Sequence, residues 1–182
     1  MTLLRQIGLP ALMTLALFVA PAARADDTAT EPAFHPACTD APFRDFDFWI
    51  GNWDVTGPNG QVAGVNRITA EEGGCLLVER WTGAGGGTGQ SYNFVDRDSG
   101  QWRQVWVSAA FTIDYSGGLD ESGAMVLEGR IAYAANPDNN GPFRGRWTLR
   151  DDGTVEQSFE QYSATADQWM PWFTGIYKRQ AE

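Results

Sequence analysis

FDFWIGNWDV, residues 46–55, carries four large aromatic side chains in ten positions and brackets a Gly-Asn pair with acids. Gly51 sits between the two tryptophans, where a residue without a Cβ lets the chain bend from a short helical turn into a strand. Strand alternation then puts Trp49, Trp53 and Val55 on one face and Asn52 and Asp54 on the other. Two indoles on one face at the start of a strand suit the plug of a core, because burying such rings dominates small cores. The alternative is a wall that grips a ligand.

Beyond this stretch the chain is punctuated at regular intervals. GPNG at 57–60, EEGG at 71–74, RDSG at 97–100, DESG at 120–123 and RDDG at 150–153 each place a Gly beside Asp, Asn, Ser or Glu. That is hairpin chemistry. The segments between them predict ten strands, near 50–56, 61–70, 75–82, 89–96, 101–108, 111–117, 124–133, 143–150, 154–162 and 169–178. None shows a long 3.6-residue apolar period, which excludes βαβ crossovers, and no internal repeat suggests a propeller. The fold class is therefore all-β: an up-and-down antiparallel barrel of about ten strands, since a meander this long removes its edges by closing. A two-sheet sandwich is the second choice.

Alternation also indicates what faces inward. FTIDYS sets Phe111, Ile113 and Tyr115 against Thr112, Asp114 and Ser116. FRGRWTLR sets Phe143, Trp147 and Leu149 against three arginines, and MVLEGRI sets Met125, Leu127 and Ile131 opposite Glu128 and Arg130. Tyr92 is assigned inward by the same parity. Strands 101–108 and 169–178 carry large side chains on both faces and do not sort.

The N-terminus has the layout of a secretory signal peptide: Arg5, an apolar run from Leu9 to Ala20, and Ala23-Arg24-Ala25. The run is shorter than the roughly 20 residues a bilayer span needs. Cleavage after Ala25 leaves 157 of the 182 residues. Residues 26–42 read as a tether and 43–180 as one barrel domain, in a soluble, periplasmic or secreted protein. Without Arg5 and Arg24 the 13 basic residues fall to 11 against 23 acids, a net charge of −12. Such a field disfavours nucleic acid and anionic lipid, so neither is an expected partner. Two cysteines in an oxidising compartment suggest one bridge, Cys38 to Cys75.

At FDFWIGNW (46–53), GCLLVERW (74–81) and WRQVW (102–106), with GRWTLRDDGTVEQSFEQYS (145–163) and the closing GIYKR, the chain resembles exported bacterial proteins of unknown function with a lipocalin-like domain. Gly51-Asn52-Trp53 also resembles the Gly-x-Trp that opens the first strand of lipocalins and related calycin barrels. The resemblance implies that Trp53 closes the narrow barrel end and that a basic residue of the last strand, Lys178 or Arg179, lies across its ring. It implies a fold and an exported location, not a reaction.

Glu79 is the leading site candidate, because CLLVERW places it on one face with Cys75, Leu77 and Trp81. A carboxylate on an apolar inward face must be paired, hydrogen-bonded or protonated. It can anchor a ligand or act as acid and base; the structural alternative is a bridge to an arginine or a buried water. Gln104, flanked by Trp102 and Trp106, and Gln157, flanked by Val155 and Phe159, are further polar points. The candidate ligand-binding set is thus Glu79, Trp81, Tyr92, Gln104, Trp106, Phe111, Tyr115, Met125, Gln157 and Phe159, with Trp49, Gly51, Trp53 and Arg179 structural. No metal or cofactor is expected. His35, the only histidine, lies in the tether, so no Ser-His-Asp triad, histidine metal cluster or histidine-ligated haem assembles in the barrel. GAGGGTG at 83–89 lacks the Lys of a phosphate loop and reads as a loop at the barrel mouth. NPDNNG at 136–141 lacks EF-hand spacing and reads as a turn. The expected function is a carrier or sensor of a small, largely apolar or amphipathic molecule. Whether it is an enzyme is open: the alternatives are a metal-independent isomerase or lyase using Glu79, and a filled structural barrel.

Overall fold

The computed structural model describes residues 38–181. The expected signal peptide over 1–25, most of the tether and His35 lie outside the described residues. A 3-10 turn at Asp47–Trp49 precedes ten strands: β1 (Gly51–Thr56), β2 (Val62–Glu71), β3 (Leu76–Gly83), β4 (Thr88–Val95), β5 (Trp102–Ser108), β6 (Phe111–Leu119), β7 (Met125–Tyr133), β8 (Gly141–Leu149), β9 (Val155–Ser163) and β10 (Gln168–Arg179). Each strand pairs antiparallel with its chain neighbours, and β1 pairs with β10, so the sheet is a closed barrel. Closure leaves no edge to pair with another chain. The architecture is lipocalin-like.

In an up-and-down meander alternate hairpins fall at opposite ends. The start of β1, the end of β10 and the turns after β2, β4, β6 and β8 share one end; the turns after β1, β3, β5, β7 and β9 share the other. The first end is stoppered. Phe46 stacks on Trp49 with ring centroids 4.9 Å apart, and Trp102 and Trp147 meet Phe46 edge-on at 5.6 and 5.2 Å. Trp53 is fully buried beside them and its Nε1–H donates to the Trp49 carbonyl at 2.9 Å. Across the β1–β10 seam Arg179 is the register partner of Trp53, and its guanidinium lies 4.3 Å from the indole centroid. Its Nη1 donates to the Ile50 carbonyl at 2.8 Å. Gly51 has φ +150°, a backbone that residues with a Cβ rarely adopt, and a Cβ there would also crowd that guanidinium. Cys38 is bonded to Cys75, with Cα atoms 5.1 Å apart, and so fastens the segment before the stopper to the start of β3. A bridge over this separation stabilises by about 3–4 kcal/mol.

Two facing assignments are corrected. Tyr92 is 50 % exposed on the outer wall, because Ser91 and Asn93, smaller and fully buried, take the inward positions of β4. Leu149 is 51 % exposed: it is the last residue of β8 and sits at the rim, beyond the packed interior. The two unsorted strands resolve. Trp102, Gln104 and Trp106 alternate inward on β5, with Arg103, Val105 and Val107 outward. β10 is irregular because its register shifts between Pro171 and Phe173, a bulge that interrupts the alternation.

Replacing Trp53 by Ala is expected to cost about 3–5 kcal/mol, the range for removing a buried large aromatic. Arg179→Ala is expected to cost about 1 kcal/mol, since one face of its cation–π contact is solvated. Urea titration of both variants checks this; an unchanged midpoint for Trp53→Ala contradicts the stopper.

Candidate ligand-binding cavity

Toward the open end the inner wall is built from rings seated on glycines. Cβ atoms at Gly64, Gly145 and Gly175 would lie 2.8 Å from the rings of Trp81, Phe159 and Phe173, and one at Gly89 would overlap the Trp106 ring. Each glycine lets a ring lie flat against the wall rather than fill the centre. The result is a cavity of about 180 Å³. For scale, an apolar cavity of about 150 Å³ accommodates benzene. Trp172, released from the alternation by the β10 bulge, reaches across the mouth. Its ring meets Phe111 edge-on at 5.2 Å and its Nε1–H donates to the Tyr133 hydroxyl at 2.9 Å.

Between stopper and mouth lies a polar belt. The Tyr115 hydroxyl donates to Gln104 Oε1, and Gln104 Nε2 donates to Asn93 Oδ1. Asn93 Nδ2 donates to Ser91 Oγ at 2.8 Å, and Ser91 Oγ donates to Glu79 Oε2 at 2.6 Å. From the other side Asn66 Nδ2 donates to Glu79 Oε1 at 2.7 Å, while the Tyr177 hydroxyl donates to Gln157 Oε1. The donors from Tyr115 onward all point toward one carboxylate. Glu79 is nevertheless pushed up to about 7, because burial outweighs the Ser91 and Asn66 hydrogen bonds that favour its anion. Burial likewise raises the phenols of Tyr115 and Tyr177 well above their ordinary range, with the nearby Glu79 charge adding to it.

Of the predicted ligand-binding set, Glu79, Trp81, Gln104, Trp106, Phe111, Tyr115, Gln157 and Phe159 converge on this cavity. Met125 is fully buried in the core but not on the cavity wall, and Tyr92 is outside. Asn66, Ser91 and Asn93 were not anticipated, although parity alone marks Asn66, which lies between inward Gly64 and Ile68 on β2. Tyr177, Phe173 and Trp172 also border the cavity, and their strand is the one that the bulge made unreadable. Among the described residues no group of histidine, cysteine and acid side chains is arranged to hold a metal. Two buried polar atoms near the cavity lack partners, Asn66 Oδ1 and Trp106 Nε1.

No protein-family model matches the chain, and no curated protein matches it. Fold and geometry therefore carry the functional reading.

The raised carboxyl has a consequence for stability. Between its ordinary 4.5 and about 7 the folded protein holds a proton on Glu79 that the unfolded chain has lost. This group's contribution therefore falls as pH rises through that window. The full loss is about 3 kcal/mol, taking 1.36 kcal/mol per pH unit. Outer-wall acids such as Asp114, lowered mainly by its hydrogen bond from Arg103, act in the opposite sense, so the comparison with Glu79→Gln isolates Glu79. A turn of the Asn66 amide can bring its unpaired Oδ1 to the new side-chain N–H, so the variant is expected to fold. Urea midpoints of the two proteins are expected to match near pH 5 and to diverge by pH 8, with the variant more stable. Parallel profiles would contradict the buried titration.

Proposed function

We propose that the protein is an exported binder of a small, largely apolar molecule, acting as a carrier or sensor. One observation carries this reading: an interior otherwise packed with aromatic rings keeps a cavity of about 180 Å³ with a single carboxylate on its wall. Apolar walls with a few convergent polar groups are the usual form of a small-molecule site.

The exported location is supported by the Cys38–Cys75 bridge, which suits an oxidising compartment, and by the signal-like N-terminus. Among the described residues no helix is long and apolar enough to cross a membrane. The barrel's outer face carries ion pairs within its strands, such as Arg103–Asp114 and Arg144–Glu160, where a lipid-facing barrel would be apolar. Membership of the exported bacterial lipocalin-like group rests on the motifs at 46–53, 74–81 and 102–106 and fits the closed barrel. A second reading, a metal-independent isomerase or lyase, is favoured by the titration of Glu79 near 7, which suits a group that gives and takes a proton.

Trp81, Trp106 and Trp172 border the cavity, so occupancy is expected to change tryptophan emission. Titration with ethylbenzene is expected to give a saturable change. Ile113→Phe, which adds a ring to the cavity wall, is expected to abolish it while the protein still unfolds cooperatively. An unsaturable response in the wild type, or the same response in Ile113→Phe, would overturn the binding reading.

A further inference from the structure

We infer that the ligand of this cavity is a cation: a compact ammonium group on an apolar body, with its N–H groups on the Glu79 carboxylate and its carbon flank against the aromatic walls. The inference rests on the small-molecule reading and specifies what that molecule must carry.

Charge balance is the first reason. Glu79 is 3 % exposed, and its two hydrogen-bond partners, Ser91 and Asn66, are both neutral. Among the described residues no Lys, Arg or His borders the cavity. The barrel does pair acids with arginines, but on its outer wall, as in Arg103–Asp114 and Arg144–Glu160. A buried carboxylate without a counter-charge is half of an ion pair. Either a proton or an incoming cation completes it.

The second reason is a surplus of acceptors. A carboxylate offers about four lone-pair sites, and Glu79 receives two hydrogen bonds. An ammonium brings several N–H donors to one point; a hydroxyl brings one. The unpaired Trp106 Nε1–H is a donor on the same cavity. It can meet an acceptor elsewhere on the ligand without changing the requirement at Glu79.

The third reason is the wall. Trp81, Trp106, Phe111, Phe159, Trp172 and Phe173 border the space, and the negative faces of such rings attract organic cations once water is excluded. The same carboxylate repels an anionic ligand, so a fatty acid is the wrong class. At about 180 Å³ the cavity suits one ring with a short amine-bearing arm.

Below about pH 7 the cation competes with the proton on Glu79. β2 and β4 present only the neutral Asn66 and Ser91 to this carboxylate. The other titratable groups facing it are the phenols of Tyr115 and Tyr177, which burial keeps protonated across this range. Ammonium binding is therefore expected to release a proton and to strengthen as pH rises toward 8.

Calorimetric titrations with 2-phenylethylamine, 2-phenylethanol and 3-phenylpropionate at pH 8 separate the possibilities. The amine is expected to bind at least about tenfold more tightly than the alcohol, the value of one charge-assisted hydrogen bond, and the carboxylate not at all. Glu79→Gln is expected to bring amine and alcohol within about threefold of each other, with the alcohol's affinity nearly unchanged. In the wild type the amine's affinity is expected to fall about tenfold between pH 8 and pH 6 while the alcohol's stays level, a readout independent of any variant. Equal binding of amine and alcohol overturns the cation, and an amine preference that survives Glu79→Gln overturns its pairing with Glu79; either leaves the small-molecule reading standing. Binding by none of the three overturns both.

Discussion

The pairing of Trp53 with Arg179 across β1 and β10 is the constraint on which the rest depends. It joins the first strand to the last, and the same two side chains cover the barrel end with a guanidinium 4.3 Å over an indole. Without that seam the sheet has two free edges and no enclosed interior. With it, the end at which β1 starts and β10 finishes is sealed by Phe46, Trp49, Trp102 and Trp147, and the disulfide fastens Cys38 to the start of β3. A stopper this well packed lets the opposite end be built loosely.

Loose packing there comes from the placement of small residues. Gly64, Gly89, Gly145 and Gly175 occupy inward positions that would otherwise hold side chains, and each receives a ring instead. Trp81, Trp106, Phe159 and Phe173 thus lie against the wall near the mouth, with Trp172 crossing it to meet Phe111, whereas at the stopper Phe46, Trp49, Trp102 and Trp147 pack into one cluster. The belt between the two zones is polar and satisfied with two exceptions, Asn66 Oδ1 and Trp106 Nε1. Its hydrogen bonds converge on Glu79, and burial still outweighs them. The interior therefore holds a buried carboxylate with no cationic side chain beside it among the described residues, and the proposed cationic ligand rests on that feature.

Most of the strand order was legible, because the turns repeat Gly beside Asp, Asn or Ser and the strands between them alternate. Glu79, Phe111, Tyr115 and Gln157 were readable for the same reason: each shares parity with neighbours that can only be core, whereas Gln104 lies on a strand whose two faces both carry large side chains. Tyr92 misled because hydrophobicity favours Tyr92 and Phe94 as the inward pair, while the belt needs Ser91 and Asn93 to reach the carboxylate. β10 was opaque because a bulge breaks the period that parity relies on, and it hid Trp172, Phe173 and Tyr177. The hydrogen-bond belt is a cross-strand feature. It joins β2, β3, β4, β5 and β6 in a register that local pattern does not encode.

A crystal structure determined under xenon pressure tests the central claim, a barrel sealed at one end and hollow at the other. Xenon settles in apolar cavities of this size without needing a polar partner. Density for xenon in contact with Phe111, Ile113 and Phe159, with the Trp53 stopper intact, is the result expected from this geometry. Absence of xenon there, with the rings of Trp106, Phe159 and Trp172 collapsed into the space, would contradict it.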